Sequence, residues 1–279
     1  MRNLMKRYII FTDLDGTLLD MRDYSADAAI PALREIKERN IPLIFATSKT
    51  AAEIKEYSLK LSVNHPFICE NGGGIYIPEG YFGGEVDSEQ FEVIPLGLEY
   101  SYLRAELKSA AEDLNLELQG MGDMTDDEII GFTGITEAEV PLARTREFDE
   151  PFVIKSEVTE ATIKKLETYF RNKKLEILKG NRFYHLMGNI NKGKAVKALM
   201  ERFEENSKDE WITIGLGDSP NDIAMFENVN VAIAVMKPPP PGHYDFDEKD
   251  FPYLNFAEGI GPQGWNKAVL EIITNPQHR

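Results

Sequence analysis

Tyr8-Ile9-Ile10-Phe11-Thr12-Asp13-Leu14-Asp15-Gly16-Thr17 is the stretch from which the rest of the chain is read. Its first five residues are aromatic or β-branched and uncharged, the pattern of a strand covered on both faces. The run stops at two carboxylates, Asp13 and Asp15, which are two residues apart and can face one crevice. Open α/β sheets bind their ligands at the carboxyl ends of strands. Carboxylates crowded there favour a divalent cation, and hard oxygen donors select Mg²⁺. One carboxylate can attack phosphorus while the other holds a proton for the departing oxygen. Gly16 permits a tight turn, and the Thr17 hydroxyl can fix it. A plain acidic turn has the same letters. A calcium loop fits less well, because Gly16 comes two positions too early for D-x-D-x-D-G.

Outward from this strand the pattern alternates. Ser25 reads as the N-cap of a helix over residues 26–39, followed by a strand over 41–46, a helix over 50–61 and a strand over 66–69. Asn71-Gly72-Gly73-Gly74 then turns the chain into Ile75-Tyr76-Ile77. Strand alternating with helix implies a parallel sheet. After about Gly84 the character changes. Strands are expected at 91–94, 152–155, 175–178 and 182–187, with helices at 98–114, 136–146 and 159–171, a mix that suits an antiparallel α+β module. The α/β rhythm returns with a helix over 192–203, strands over 211–214 and 229–235, an irregular loop at Pro238-Pro239-Pro240-Pro241-Gly242 and a closing helix over 265–273. The expected organisation is an α/β core in two parts, residues 1–84 and 190–279, interrupted by an α+β cap at 85–189.

The chain has 279 residues, 42% of them hydrophobic, with 15 Phe and 11 Tyr, enough for a substantial core. No segment reaches the roughly 20 apolar residues of a membrane helix. The opening Met1-Arg2-Asn3-Leu4-Met5-Lys6-Arg7 lacks the pattern of a secretory signal. The single cysteine, Cys69, excludes an internal disulfide and suits a reducing compartment, so the cytoplasm is expected. A formal charge of −16 argues against nucleic acid and anionic membranes as partners. It also means that an anionic substrate requires cations gathered locally at its site.

Three further elements have the chemistry such a site needs. Thr47, followed by Ser48 and Lys49, ends the second strand, where its hydroxyl can bind a phosphoryl oxygen or cap the next helix. Asn191-Lys192-Gly193-Lys194 opens a late helix. Its ammonium can neutralise charge on a transferring phosphoryl group or simply face solvent. The glycine spacing of a P-loop is absent. Gly215-Leu216-Gly217-Asp218-Ser219-Pro220-Asn221-Asp222 follows an apolar strand. There Asp218 can complete a metal shell, and Asn221 and Asp222 can orient ligands. No G-x-G-x-x-G supports a dinucleotide site.

The four elements in this order resemble the haloacid dehalogenase (HAD) superfamily of aspartyl-nucleophile phosphatases, and the resemblance covers the whole chain. It implies a Rossmann-like doubly wound α/β core with an inserted cap of the C2B type. It also implies that Asp13 is the nucleophile and a metal ligand. Asp15 is then the general acid/base, offering its carbonyl to Mg²⁺, while Thr47 and Lys192 hold the phosphoryl group and Asp218 binds metal. Thr47-Ser48-Lys49-Thr50, Glu70-Asn71-Gly72-Gly73-Gly74-Ile75-Tyr76, Arg146-Glu147-Phe148-Asp149-Glu150-Pro151-Phe152 and Gly180-Asn181-Arg182-Phe183-Tyr184-His185-Leu186-Met187-Gly188 narrow it. These segments resemble the mannosyl-3-phosphoglycerate phosphatases, a family that makes a compatible solute. The substrate implied is a small phosphorylated glycosylglycerate, contacted by Ser48, Lys49, Asn71, Gly72 and Asn221. Arg144, Arg146, Arg182 and His185 then supply cap cations. In a regular strand Arg182 and His185 fall on opposite faces, so a bulge is expected if both reach one pocket. Residues 147–152 also suit a structural corner of the cap. Glucosyl-3-phosphoglycerate, sucrose phosphate and a phosphosugar mutase reaction are the alternatives.

Asp13→Asn is nearly isosteric and removes charge and nucleophilicity alone. It should leave the circular dichroism spectrum intact while turnover falls below about a thousandth of wild type.

Overall fold

The computed structural model describes residues 6–180 and 182–275. Met1 to Met5 and Asn181 lie outside the described residues. The chain opens with β1 (Lys6–Thr12), α1 (Ile30–Glu38), β2 (Leu43–Ala46), α2 (Ala51–Leu61), β3 (Phe67–Cys69), β4 (Gly74–Glu79) and β5 (Asp87–Pro95). There follow α3 (Tyr100–Leu114), β6 (Leu118–Gly120), α4 (Asp126–Thr133), α5 (Val140–Arg144), β7 (Asp149–Ile154), α6 (Glu160–Arg171), β8 (Leu175–Lys179) and β9 (Tyr184–Gly188). It returns with α7 (Lys192–Asn206), β10 (Glu210–Gly217), α8 (Ile223–Phe226), β11 (Val231–Met236), β12 (Leu254–Ile260) and α9 (Pro262–Thr274).

One sheet has the order β12-β11-β10-β1-β2-β3-β4-β5. Its first six strands run parallel, and β4 and β5 are antiparallel to their neighbours. Alternate side chains of β1 enter opposite layers. Ile10 packs with Ile36 of α1, Ile54 of α2 and Trp265 of α9. Ile9 and Phe11 pack with Leu199 and Phe203 of α7 and Phe226 of α8. β1 is therefore covered on both faces, as its composition requires.

The second sheet, β6-β7-β9-β8, is antiparallel. Leu103 and Leu107 of α3 and Leu166 and Phe170 of α6 bury its Phe152 and Leu186. A separate cluster joins Met121, Ile129 and Val140 to Phe183. This is the cap, and it differs from the sequence expectation at its entry. Residues 91–94 belong to β5, which pairs with β4 at the edge of the core sheet, so the division at residue 84 falls within that sheet. The chain passes into the cap at residues 96–99, where Leu96 and Gly97 both donate backbone N–H bonds to the Gly73 carbonyl. A strand pairing with a neighbour across a turn looks the same in sequence whichever sheet it joins.

Other differences are local. Regular α1 begins at Ile30, not after Ser25, because Pro31 lies in its first turn. The Ser25 hydroxyl instead accepts from Asp27 N at 3.0 Å. Elements β6, α4 and β12 are short or polar and give no strong periodicity. Arg182 precedes β9 rather than lying in it, which removes the need for a bulge between Arg182 and His185.

Trp265 is fully buried. Its Nε1 donates to Thr12 Oγ1 at 2.9 Å, and that hydroxyl donates to the Asp13 carbonyl at 2.8 Å. Trp265→Ala should cost about 3–5 kcal/mol in chemical denaturation, from the cavity it leaves, with an unchanged unfolding slope.

Candidate active site

Parallel strands β1 and β10 place Asp13 and Asp218 at their carboxyl ends, beside each other. Asp13 N donates to the Leu216 carbonyl at 2.9 Å. Lys192, the first residue of α7, is fully buried, and its Nζ donates to Asp13 Oδ1 at 2.8 Å and Asp222 Oδ1 at 2.7 Å. Burial pulls the lysine pKa down, yet Asp13 and Asp222 hold it well above its ordinary value. Asp222 Oδ2 accepts the backbone N–H groups of Asp218 and Ser219 at 3.0 and 3.1 Å. A Cβ on Gly217 would lie 2.3 Å from Asp222 Cγ, so the glycine makes room for this carboxylate to fold back under its own loop. Both oxygens of Asp222 are thus committed.

Asp13, Asp218 and Asp222 each offer an oxygen within 4.8 Å of the others. With Asp222 taken by Lys192 and backbone, Asp13 and Asp218 are left for a cation. Asp218 Oδ1 accepts from the Ser219 hydroxyl at 2.6 Å, while its Oδ2 is buried without a hydrogen-bond partner and stands 3.8 Å from Lys237 Nζ. An orphaned buried carboxylate oxygen beside a second carboxylate is a donor set that fits a hard divalent ion such as Mg²⁺. Burial, then the charges of Asp13 and Asp222, raises the Asp218 pKa to about 8. Burial, opposed by Lys192, raises Asp13 to about 6.

Asp15 faces the cleft with its side chain 28% exposed. Its Oδ2 pairs with Lys49 Nζ at 3.1 Å, and its Oδ1 has no hydrogen-bond partner. Lys49 is buried and also meets Glu53 Oε1 at 3.5 Å and the Tyr24 ring at 4.9 Å. Against the pull of burial, Asp15 and Glu53 keep its ammonium well above the normal range. The turn after Asp15 is fixed by backbone bonds of Gly16, Thr17 and Leu19. The Thr17 hydroxyl, expected to fix it, is buried without a partner.

A cleft of about 810 Å³, including its open mouth, separates core from cap. Asp13, Asp15, Ser48, Lys49 and Asn221 line one wall, and Arg182, His185 and Phe183 line the other. Arg182 Nη1 donates to the Tyr24 hydroxyl at 2.5 Å. Asn71 lies beneath the cleft, taking Asn221 Nδ2 on its Oδ1 at 3.2 Å and donating to Asp149 Oδ2 at 2.9 Å. Thr47 is buried at the end of β2, and its Oγ1 accepts Lys49 N at 3.3 Å.

Four residues expected at the substrate lie elsewhere or do something else, the first being Asn71, which is fully buried with both amide atoms engaged as above. Arg144 is tied within the cap to Asp126 and to the carbonyls of Met121 and Met124, away from the cleft. Gly72 packs against the start of α7, where a Cβ would lie 2.4 Å from the Asn191 carbonyl oxygen. Arg146 lines the cleft, but its Nε and Nη2 are engaged by the carbonyls of Asp149 and Ser48 at 2.7 and 3.0 Å, with the Asp149 carboxylate 3.3 Å from Nη2. Residues 146–149 are a structural corner, which Glu70 completes by accepting the backbone N–H groups of Glu147 and Phe148. Sequence reading missed Glu70, Tyr24, Asp149 and Lys237. Glu70 and Lys237 follow apolar strands as Asp13 does, which is the signal that could have found them.

A family model described as haloacid dehalogenase-like hydrolase matches residues 10–92 and 137–240. The chain belongs to the haloacid dehalogenase-like hydrolase family. A glucosyl-3-phosphoglycerate/mannosyl-3-phosphoglycerate phosphatase from Methanococcoides burtonii is 41% identical over 271 residues, covering 96% of this chain and 97% of that protein. A mannosyl-3-phosphoglycerate phosphatase from Pyrococcus furiosus is 37% identical over 231 residues, covering 81% and 90%. A solved HAD subclass IIB sugar phosphatase shares the fold with TM-score 0.59 at 14% identity, covering 89% and 92%. The chain is a HAD-family hydrolase whose core and inserted cap have the subclass IIB fold. Among the described residues no helix is long and apolar enough to cross a membrane.

Because Asp218 and Asp13 have raised pKa values, protons compete with metal at these carboxylates. Mg²⁺ affinity by calorimetry should therefore climb from roughly pH 5 to about pH 9, as first Asp13 and then Asp218 loses its proton, and level off above. A flat profile would contradict this ligand assignment.

Proposed function

We propose that the chain hydrolyses the phosphate monoester of a glycosyl-3-phosphoglycerate, mannosyl-3-phosphoglycerate first and its glucosyl counterpart beside it. The observation that supports this most is the 41% identity to a phosphatase named for both esters, which spans core and cap alike. Such a product is a compatible solute, and a cytoplasmic site of action follows.

In this reading Asp13 attacks phosphorus with Oδ2, since Lys192 occupies Oδ1, and forms an aspartyl phosphate. Lys192 keeps Asp13 ionised and turned toward the cleft. Asp15 protonates the departing hydroxyl through its unpartnered Oδ1 and then takes a proton from the attacking water. Lys49 holds Asp15 by the other oxygen. The Thr47 hydroxyl, with no protein acceptor for its proton among the described residues, donates to a phosphoryl oxygen. Mg²⁺, held by Asp13, Asp218 and the Asp15 carbonyl, supplies electrostatic stabilisation of the phosphoryl oxygens when bound. Asn221 and Ser48 line the phosphate end of the cleft. Arg182 and His185 recognise the carboxylate and sugar. The phosphate end thus draws on the buried cations Lys192 and Lys49, and the leaving-group end on Arg182, in a chain whose overall charge repels the substrate.

Phosphate release should be fastest with mannosyl- or glucosyl-3-phosphoglycerate in a panel that includes sucrose phosphate and p-nitrophenyl phosphate. Preference for sucrose phosphate would overturn the reading. Arg182→Ala should lower kcat/KM for the best glycosylglycerate ester by about one to two orders of magnitude. Turnover of p-nitrophenyl phosphate, which has no carboxylate, should barely change. Equal losses on both substrates would remove Arg182 from recognition.

A further inference from the structure

Asp149 begins β7, is fully buried and does not line the cleft. It is opposite Met187 of β9, while Pro151 is opposite His185. Asp149 and His185 are therefore diagonal neighbours on one face of the cap sheet. Asp149 Oδ2 lies 2.8 Å from His185 Nδ1, 2.9 Å from Asn71 Nδ2 and 3.3 Å from Arg146 Nη2.

Two lone pairs cannot face each other at 2.8 Å, so one partner of the Asp149–His185 contact must carry the proton. The Asn71 amide donates to the same oxygen and the Arg146 guanidinium forms an ion pair with it, which favours an ionised carboxylate. An ionised carboxylate only accepts, so the proton is on Nδ1. In neutral imidazole this leaves Nε2 with its lone pair exposed. Nε2 makes no protein hydrogen bond among the described residues. Gly180 covers the same edge of the ring: a Cβ there would lie 2.8 Å from Nε2. Both residues line the cleft, so the missing side chain opens the ring edge to a ligand.

We propose that Asp149 is a positioning residue that holds His185 as the Nδ1–H tautomer, so that Nε2 accepts a hydrogen bond from a hydroxyl of the substrate's leaving group. The ligand class rests on the phosphatase reading above; the tautomer does not. Asn71 extends the arrangement across the core–cap boundary. Its amide joins Asp149 to Asn221 of the core, and its backbone N–H donates to the Thr47 carbonyl at 2.9 Å. The ring that meets the leaving group is thereby referenced to the loops that meet the phosphate.

Nitrogen-15 spectra of the wild-type protein near neutral pH, without substrate, decide the first part. The expected result is a protonated Nδ1 and an unprotonated Nε2 on His185. An Nε2–H tautomer, or an imidazolium there, overturns the proposal whatever the substrate proves to be. Kinetics decide the second part, using whichever hydroxylated phosphate ester the enzyme turns over best. Asp149→Asn should mix the tautomers and raise KM about tenfold, the value of one hydrogen bond, with kcat within about twofold. Gly180→Ala keeps every buried partner of Asp149, so it remains informative if Asp149→Asn fails to fold. It should raise KM about tenfold with the tautomer unchanged. If kcat falls as far as KM rises, or KM stays constant in Gly180→Ala, Nε2 does not contact the leaving group.

Discussion

A single ammonium group, that of Lys192, holds the centre of this molecule together. It is fully buried between the carboxylates of Asp13, just past β1, and Asp222, in the turn that follows β10, which meet because those two strands lie side by side. A buried charge without partners is costly, and removing one member of such a group leaves the others uncompensated. The lysine therefore has to sit at the start of α7, α7 has to cross the sheet behind β1, and Asp222 has to fold under its own loop. Gly217 makes that last requirement possible. The group is also asymmetric, since each carboxylate gives Lys192 one oxygen. Asp222 spends its second on backbone donors, while that of Asp13 makes no protein hydrogen bond among the described residues.

The boundary between core and cap is built on different principles. Few apolar side chains cross it; hydrogen bonds do. Glu70 holds the Glu147–Phe148 backbone, Arg146 reaches the Ser48 carbonyl, Thr50 donates to the Leu142 carbonyl, and Asn71 reaches Asp149. Tyr24, in the loop after the first strand, donates to the Thr133 carbonyl while receiving Arg182. Glu70, Asn71, Thr50 and Asp149 of this seam are themselves fully buried, as are the two apolar clusters on either side of the core sheet. The cap has its own apolar centre around Phe152 and Phe170. It can therefore remain folded as the seam opens, a requirement for an enzyme that must admit a substrate and then exclude water.

Most of the core was legible from letters because local rules governed it. An uncharged run ending in paired carboxylates reads as a buried strand with acids at its end, and Asp13, Asp15 and Asp218 lie at the carboxyl ends of β1 and β10 as that reading expects. The alternation of strand and helix likewise determined the α/β class, and the acidic balance determined that cations had to be gathered at the site. Tertiary structure decided the rest. Arg144 and Arg146 have the letter that functional arginines would have, but Arg144 is held by groups of the cap and Arg146 by Asp149 and the Ser48 carbonyl of the core, and sequence spacing does not encode which partner is near. Gly72 looked like a ligand loop and is a packing contact. β5 joined the core sheet although its sequence suits either domain, because edge pairing depends on where a neighbour's free N–H and C=O groups lie. Asp149 fell within a segment that read as a structural corner, but its contacts with His185, Asn71 and Arg146 come from cross-strand pairing and a core–cap contact that no spacing shows. Hydrophobic period and strand ends are properties of neighbours along the chain. The identity of a side chain's partner is a property of neighbours in space, and that is what only folding determines.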